Sequence, residues 1–217
     1  MSAAREEILG RVREALGRRA GAPPVAVPAT ARIAPRAPAA PDVEIEQLLT
    51  EVRKLSGVAQ RLAGRDALAA ALAELVRIEG VKRATLWSTP ELTAWDVAGT
   101  LRALGVELVS PQAGKRAVAQ CELGVTGADG VLAETGTLVL RSDGERPRVV
   151  SLLPRVHLAI FTPQALRADL HQVFAEAKDS SYAVLVTGPS RTADIELTLT
   201  LGVHGPKALY AWVLEGA

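Results

Sequence analysis

Three short segments carry most of the residues whose types and spacing suit chemistry. The first is 124–137, GVTGADGVLAETGT, where Thr126, Gly127, Asp129, Glu134, Thr135, Gly136 and Thr137 crowd turns between apolar runs. Glycine lets a backbone approach a ligand closely, and successive N–H groups can hold an anion. Glu134 stands just ahead of an apolar run. A carboxylate there can act as a base, a nucleophile or a ligand acceptor, or it can simply cap the turn. Asp129, in Gly-Ala-Asp-Gly, also fits ordinary turn chemistry. The second segment is 187–194, TGPSRTAD. Ser190 and Thr192 offer hydroxyls, Arg191 offers a planar fork for a carboxylate or phosphate, and Asp194 closes the segment. The competing reading pairs Arg191 with Asp194 or Glu196 and leaves the hydroxyls to brace the turn. The third is 202–206, GVHGP, which sets His204, a proton carrier near neutral pH, between two glycines. Ser190, His204 and Glu134 could be drawn as a triad, but the serine lacks the GxSxG elbow that exposes a nucleophile.

Other reactive residues read as structural. His157 lies inside an apolar run and suits a core or sheet-edge role, and His171 suits a solvated helix surface. Cys121, the single cysteine, suits a small core position near a strand start. One cysteine excludes an internal disulfide and a cluster held by four thiolates of this chain. Three scattered histidines give no metal-ligand spacing, and no Rossmann or Walker glycine motif is present.

The elements that must position these segments follow from periodicity. Residues 2–19 suit an amphipathic helix, with Ile8, Leu9, Val12 and Leu16 on one face. Residues 20–42 hold six prolines and read as an extended linker. The helix ahead of it suits either a docking arm or a helix lying back on its own domain. Residues 43–217 form one domain, opening with two helices over 43–79 broken near Gly57 or Gly64. Strand and helix then alternate: strand 81–87, helix 90–103, strand 105–109, helix 113–120. Further strands are expected at 121–126, 137–142, 148–153, 156–161, 182–187, 195–201 and 207–214, with a helix at 163–177. The pattern predicts an α/β domain with a mainly parallel sheet. The strand 182–187 would then deliver the second segment to the carboxyl end of the sheet, where ligands bind in open α/β folds. All three segments are expected to converge there.

With 217 residues, a net charge of +1 and 3% aromatics, the chain shows neither a basic footprint nor a stacking platform for nucleic acid. No apolar run reaches the roughly 18–20 residues of a membrane span. The first residues mix Arg5 with Glu6 and Glu7 and do not resemble a secretory signal, so a cytoplasmic location is expected.

Gly-Val-Thr-Gly-Ala-Asp at 124–129, Ala-Glu-Thr-Gly-Thr-Leu at 133–138, Gly-Pro-Ser-Arg-Thr-Ala-Asp-Ile-Glu at 188–196 and Gly-Val-His-Gly-Pro at 202–206, in that order, resemble the LUD-domain family over roughly residues 45–215. Within it they resemble the lactate-utilisation protein C branch. The resemblance implies a three-layer α/β/α fold similar to the NagB/RpiA/CoA-transferase group. It implies a non-redox subunit in the oxidation of L-lactate to pyruvate, with no cofactor or metal on this chain and with partner proteins carrying iron–sulfur clusters. Thr126, Gly127, Asp129, Thr135, Gly136, Thr137, Ser190, Arg191, Thr192 and Asp194 would then bind a small carboxylate or nucleotide-like ligand, with Glu134 or His204 handling a proton. The CoA-transferase kinship implies an alternative, a transferase or isomerase using Glu134, although Glu134-Thr135-Gly136 has Thr where those enzymes carry Asn. A regulatory ligand-binding module is the third reading.

Overall fold

Two runs, VHLAIF and ALYAWVLE, are apolar on both faces, and a strand of that kind must lie in the middle of a sheet covered on each side. The computed structural model describes residues 3–17, 34–192 and 200–216, and it bears this out. The first run is β7 (Val156–Phe161), buried throughout, and the second is β12 (Ala208–Glu215). Around them stand β1 (Val58–Ala63), β2 (Arg83–Leu86), β3 (Glu107–Leu108) and β4 (Leu123–Thr126). These six strands form one sheet in the order β1-β12-β7-β4-β2-β3, and every neighbouring pair is parallel.

Chain division places Met1–Ala34 and Pro35–Ala217 in separate compact units. In the first, α1 (Ala3–Ala15) is a helix in which Glu7 pairs with Arg11 at 2.9 Å, one turn on. In the second, residues 35–40 precede α2 (Pro41–Lys54), and Pro41 opens that helix where a missing N–H costs nothing. Glu44, buried on α2, accepts from Arg36 at 2.6 Å and from the Ala39 N–H at 2.7 Å, which holds this extended approach in place.

The sheet carries a core on each face. On one side α2 buries Ile45, Leu48, Leu49 and Val52 against Ala159, Leu209, Ala211 and Val213. Each such side chain contributes about 1.5–3 kcal/mol. On the other side α3 (Gly64–Glu79) and α5 (Val97–Ala103) cover Leu158, Ile160 and Trp212 with Leu68, Leu72, Leu75, Val97 and Leu101. Gly80, at φ 58°, takes the left-handed conformation that ends α3 and donates to Val76 O.

A second sheet shares the α2 side. Its strands β5 (Gly130–Leu132), β6 (Thr137–Ser142), β8 (Leu166–Arg167) and β9 (Tyr182–Val186) run in the order β8-β5-β6-β9. The hairpin β5–β6 places Val131 and Leu138 in the core with α2, and α8 (Leu170–Ala177) covers its other face by packing Val173 on Leu132 and Val139. The three layers are thus present, but one flank is part helix and part mixed sheet, antiparallel except where β5 meets β8.

Several expected elements differ. Residues 58–63 form β1 rather than a break between two helices. The helix over 90–103 divides into α4 (Pro90–Ala94) and α5, because Asp96 adopts φ 51° and caps α5 by accepting the Gly99 N–H at 3.2 Å. Residues 115–118 form the short α6 (Lys115–Val118). Residues 148–153 are not a strand but carry α7 (Val149–Leu152), set between Pro147 and Pro154, which lack the N–H a central strand needs. α7 packs so close to β4 that a Cβ at Gly124 would stand 1.9 Å from Val150 O. The helix over 163–177 is a 3-10 turn (Pro163–Ala165), then β8 and α8. The strand over 195–201 falls largely outside the described residues. Its end, β11 (Thr200–Leu201), pairs antiparallel with β10 (Arg191–Thr192).

Candidate functional site

At the carboxyl ends of β2, β4 and β7 the chain turns outward three times and leaves a cleft of about 250 Å³. Trp87, after β2, forms its wall. Gly127, Ala128 and Asp129 follow β4, Phe161 ends β7, and Thr162 and Gln164 follow it. Trp87 is buried and its Nε1 donates to Pro147 O at 3.0 Å, so the ring cannot rotate away. The Arg146 guanidinium lies 5.8 Å from that ring's centroid, a cation–π contact.

Charge in the cleft is organised around Asp129, whose side chain is 9% exposed. Its carboxylate accepts the Arg141 N–H at 2.7 Å and Arg146 Nη1 at 2.7 Å, with Arg141 Nε at 3.2 Å. Asp129 O also accepts from Arg167 Nη2 at 3.2 Å. Arg146 is held from its other side by Asp143, through Nε at 3.0 Å and Nη2 at 2.8 Å. Burial alone would make Arg146 easier to deprotonate, but the hydrogen bonds it donates to Asp143 and Asp129 outweigh it and raise its pKa above the ordinary arginine value. A guanidinium has five N–H groups. Three of them serve these carboxylates. Two have no acceptor among the described residues.

The second and third sequence segments meet elsewhere. Ser190 N–H donates to Pro206 O at 3.0 Å, and Gly202 N–H to Ser190 O at 2.9 Å. The turn 133–136 joins them through a hydroxyl chain, Thr135 to Thr137 at 2.7 Å and Thr137 to Thr187 at 2.8 Å. Gly136 lies against α2, where a Cβ would stand 2.8 Å from Val52 N. The second and third segments border a pocket of about 180 Å³ that contains His157 and Leu209, at the amino ends of β7 and β12. His157 is buried, with Nε2 2.9 Å from Thr126 Oγ1, and desolvation pushes its pKa down to about 4.

The expected convergence is therefore divided. Gly127 and Asp129 belong to the carboxyl-end cleft, whereas Thr135, Thr137, Ser190 and His204 lie toward the amino end. Thr126 links the two regions through His157. The reason is β9: it runs antiparallel at the edge of the second sheet, so the rule for parallel strands does not reach the loop that follows it. Arg191 gives its Nη2 to Leu55 O and, at 3.4 Å, to Ser56 Oγ, so it closes the end of α2. Glu134 is exposed on its turn and accepts no hydrogen bond from the described residues. His204 is exposed, as its glycine neighbours suggest. Asp194 lies outside the described residues. Cys121 is buried with its thiol pKa raised by desolvation, consistent with a core role, and His171 is exposed on α8. Trp87, Arg146 and Arg167 escaped the sequence reading, since they come from segments far apart with no shared spacing.

Comparison with known proteins decides the family. The model described as the LUD domain matches residues 45–214. The chain belongs to the LUD-domain family. It is a homologue of Lactate utilization protein C. It is 35% identical to that of Shouchella clausii over 154 residues, 66% of this chain and 67% of that one. It is 33% identical to that of Halalkalibacterium halodurans over 152 residues, 65% of this chain and 66% of the other. The chain thus spans about two thirds of the length of these curated relatives. A crystal structure of a DUF162 family protein from Deinococcus radiodurans superposes with a TM-score of 0.58 at 15% identity, covering 82% of this chain and 99% of that one, so the two share a fold. In this LUD domain no group of three or more His, Cys, Asp or Glu could hold a metal ion among the described residues, and no described helix is long and apolar enough to cross a membrane.

Proposed function

We propose that this LUD domain is a non-redox subunit of an L-lactate utilisation system, working with iron–sulfur partner proteins, and that its carboxyl-end cleft holds a small carboxylate. The supporting observation is Arg146, fixed over Trp87 by two aspartates with N–H groups to spare, at the sheet end where open α/β folds bind ligands. A cavity of about 250 Å³ suits a molecule smaller than the drug-sized ligands that fill roughly 300–1,000 Å³. The name Lactate utilization protein C, borne by the relatives, supports the assignment of the pathway. The reaction itself needs an electron acceptor, which on this reading the partners supply. The chain's own part is to orient the carboxylate: Arg146 pairs with it, Trp87 excludes water from one side, and the hydroxyls of Thr89 and Thr162 border the remainder.

Two experiments test this. Deleting the gene should abolish growth on L-lactate, and the wild-type gene should restore it while Arg146→Met should not. L-lactate or pyruvate should raise the melting temperature of the isolated protein, and Arg146→Met should remove that rise. Normal growth of the deletion strain on lactate would sink the pathway assignment. An undiminished ligand response in Arg146→Met would sink the cleft.

A further inference from the structure

The amino-end pocket differs from the cleft in chemistry as well as position. Among the described residues, no Arg, Lys, Asp or Glu lines its volume of about 180 Å³. Its walls are largely aliphatic, from Leu152, Val186, Pro189, Pro206 and Leu209, with Leu185 at the rim. The neighbouring cation, Arg191, is turned away onto Leu55 and Ser56. Two imidazoles line it: His204, which is exposed, and His157, which is only 1% exposed. The His157 Nε2 is satisfied by Thr126, but Nδ1 has no partner among the described residues. Buried polar atoms are nearly always paired, and an orphan beside a cavity is the place where an incoming group completes the bonding.

We infer that this pocket is a second ligand site, for a small uncharged and mainly apolar molecule whose single carbonyl or hydroxyl pairs with His157 Nδ1. A carboxylate is unsuited, since it would surrender its hydration to walls in which the described residues place no Arg or Lys, only the exposed imidazole of His204. The His157 imidazole stays neutral down to acid pH because burial disfavours its charged form, so it supplies no countercharge. A neutral imidazole can present either a donor or an acceptor at Nδ1, with the Thr126 hydroxyl donating to Nε2 in the first case and accepting from it in the second. The site therefore takes a carbonyl in one tautomer and a hydroxyl in the other. This inference stands apart from the reading of the cleft, which concerns a charged ligand at the opposite end of the sheet.

The test is nuclear magnetic resonance of the full chain with histidine side chains labelled with nitrogen-15. Titration with 2-butanone or isobutyramide should displace the His157 ring resonances saturably. Propionate and L-lactate at pH 7 should produce at least a tenfold weaker response. Ser190→Phe, which fills the pocket from its polar edge, should remove the displacement, and Leu185→Phe at the rim should weaken it. Unmoved His157 resonances with both neutral probes would show a pocket that holds only water, and would overturn the inference. So would an equal response to propionate, or a wild-type response in a folded Ser190→Phe protein. The comparison of neutral with charged probes uses the unaltered chain and stands whether or not either variant folds.

Discussion

Replacing His157 with glutamine should flatten part of the acid dependence of stability. The imidazole is buried beside Thr126, and its pKa is lowered from 6.5 to about 4 by desolvation. In the unfolded chain it binds a proton below about 6.5. In the folded chain it does so only near 4. Between those values the unfolded state holds more protons, so falling pH favours unfolding. The stabilisation is complete above the unfolded pKa and declines as the pH falls toward the folded one. At about 1.4 kcal/mol for each tenfold change in proton affinity, the loss approaches about 2–3 kcal/mol by pH 4.5. Buried carboxylates add their own acid dependence, but it is common to wild type and variant and cancels in the difference. Urea unfolding at several pH values between 7 and 4.5 measures it. The quantity to compare is the slope against pH, because glutamine also alters packing at every pH. Curves for wild type and His157→Gln that stay parallel within about 0.5 kcal/mol would refute the burial argument.

Three further outcomes are expected. Asp129→Ala should cost about 2–3 kcal/mol, since it strips the Arg141 N–H and two half-buried guanidinium groups of their acceptor. Asp129→Asn, which keeps an acceptor, should cost less in the same denaturation assay. Gly124→Ala should prevent stable folding or cost more than about 3 kcal/mol, because the new methyl meets the Val150 carbonyl at 1.9 Å and backbone must move; far-ultraviolet circular dichroism with thermal melting checks it. Cys121 should react with a thiol reagent only on the timescale of unfolding, because it is buried and its thiolate is disfavoured; rapid modification of the native protein would contradict that.

The alternation of strand and helix from β2 to β4 was legible because each element there has one clear period. β1 was not: VAQRLA places Gln60 and Arg61 between apolar residues, and its neighbours on both sides are helical. Its strand character comes from pairing with β12, which lies far along the chain. RVVSLL has the β-branched content of a strand, but prolines on either side and the close approach to Gly124 make it a turn of helix. The glycine-rich turn after β4 was visible as a ligand candidate, and Gly127 and Asp129 do border the cleft. What could not be read was which sheet each strand would join. β9 has the apolar run of a central strand, yet it pairs antiparallel with β6, and this single pairing carries Ser190 and His204 away from Asp129.

The placement of β12 bears on how the protein is made. Val58 of β1 pairs with Tyr210, and among the described residues β12 alone joins β1 to the rest of the sheet. During synthesis the apolar faces of α2, β1 and β7 must therefore wait until residues 208–215 have left the ribosome before the sheet can close. Contacts so distant in sequence form slowly, and the waiting surfaces are prone to association. A nascent chain stalled just short of β12 should be a client for chaperones, and release of those few residues should commit the domain to its fold.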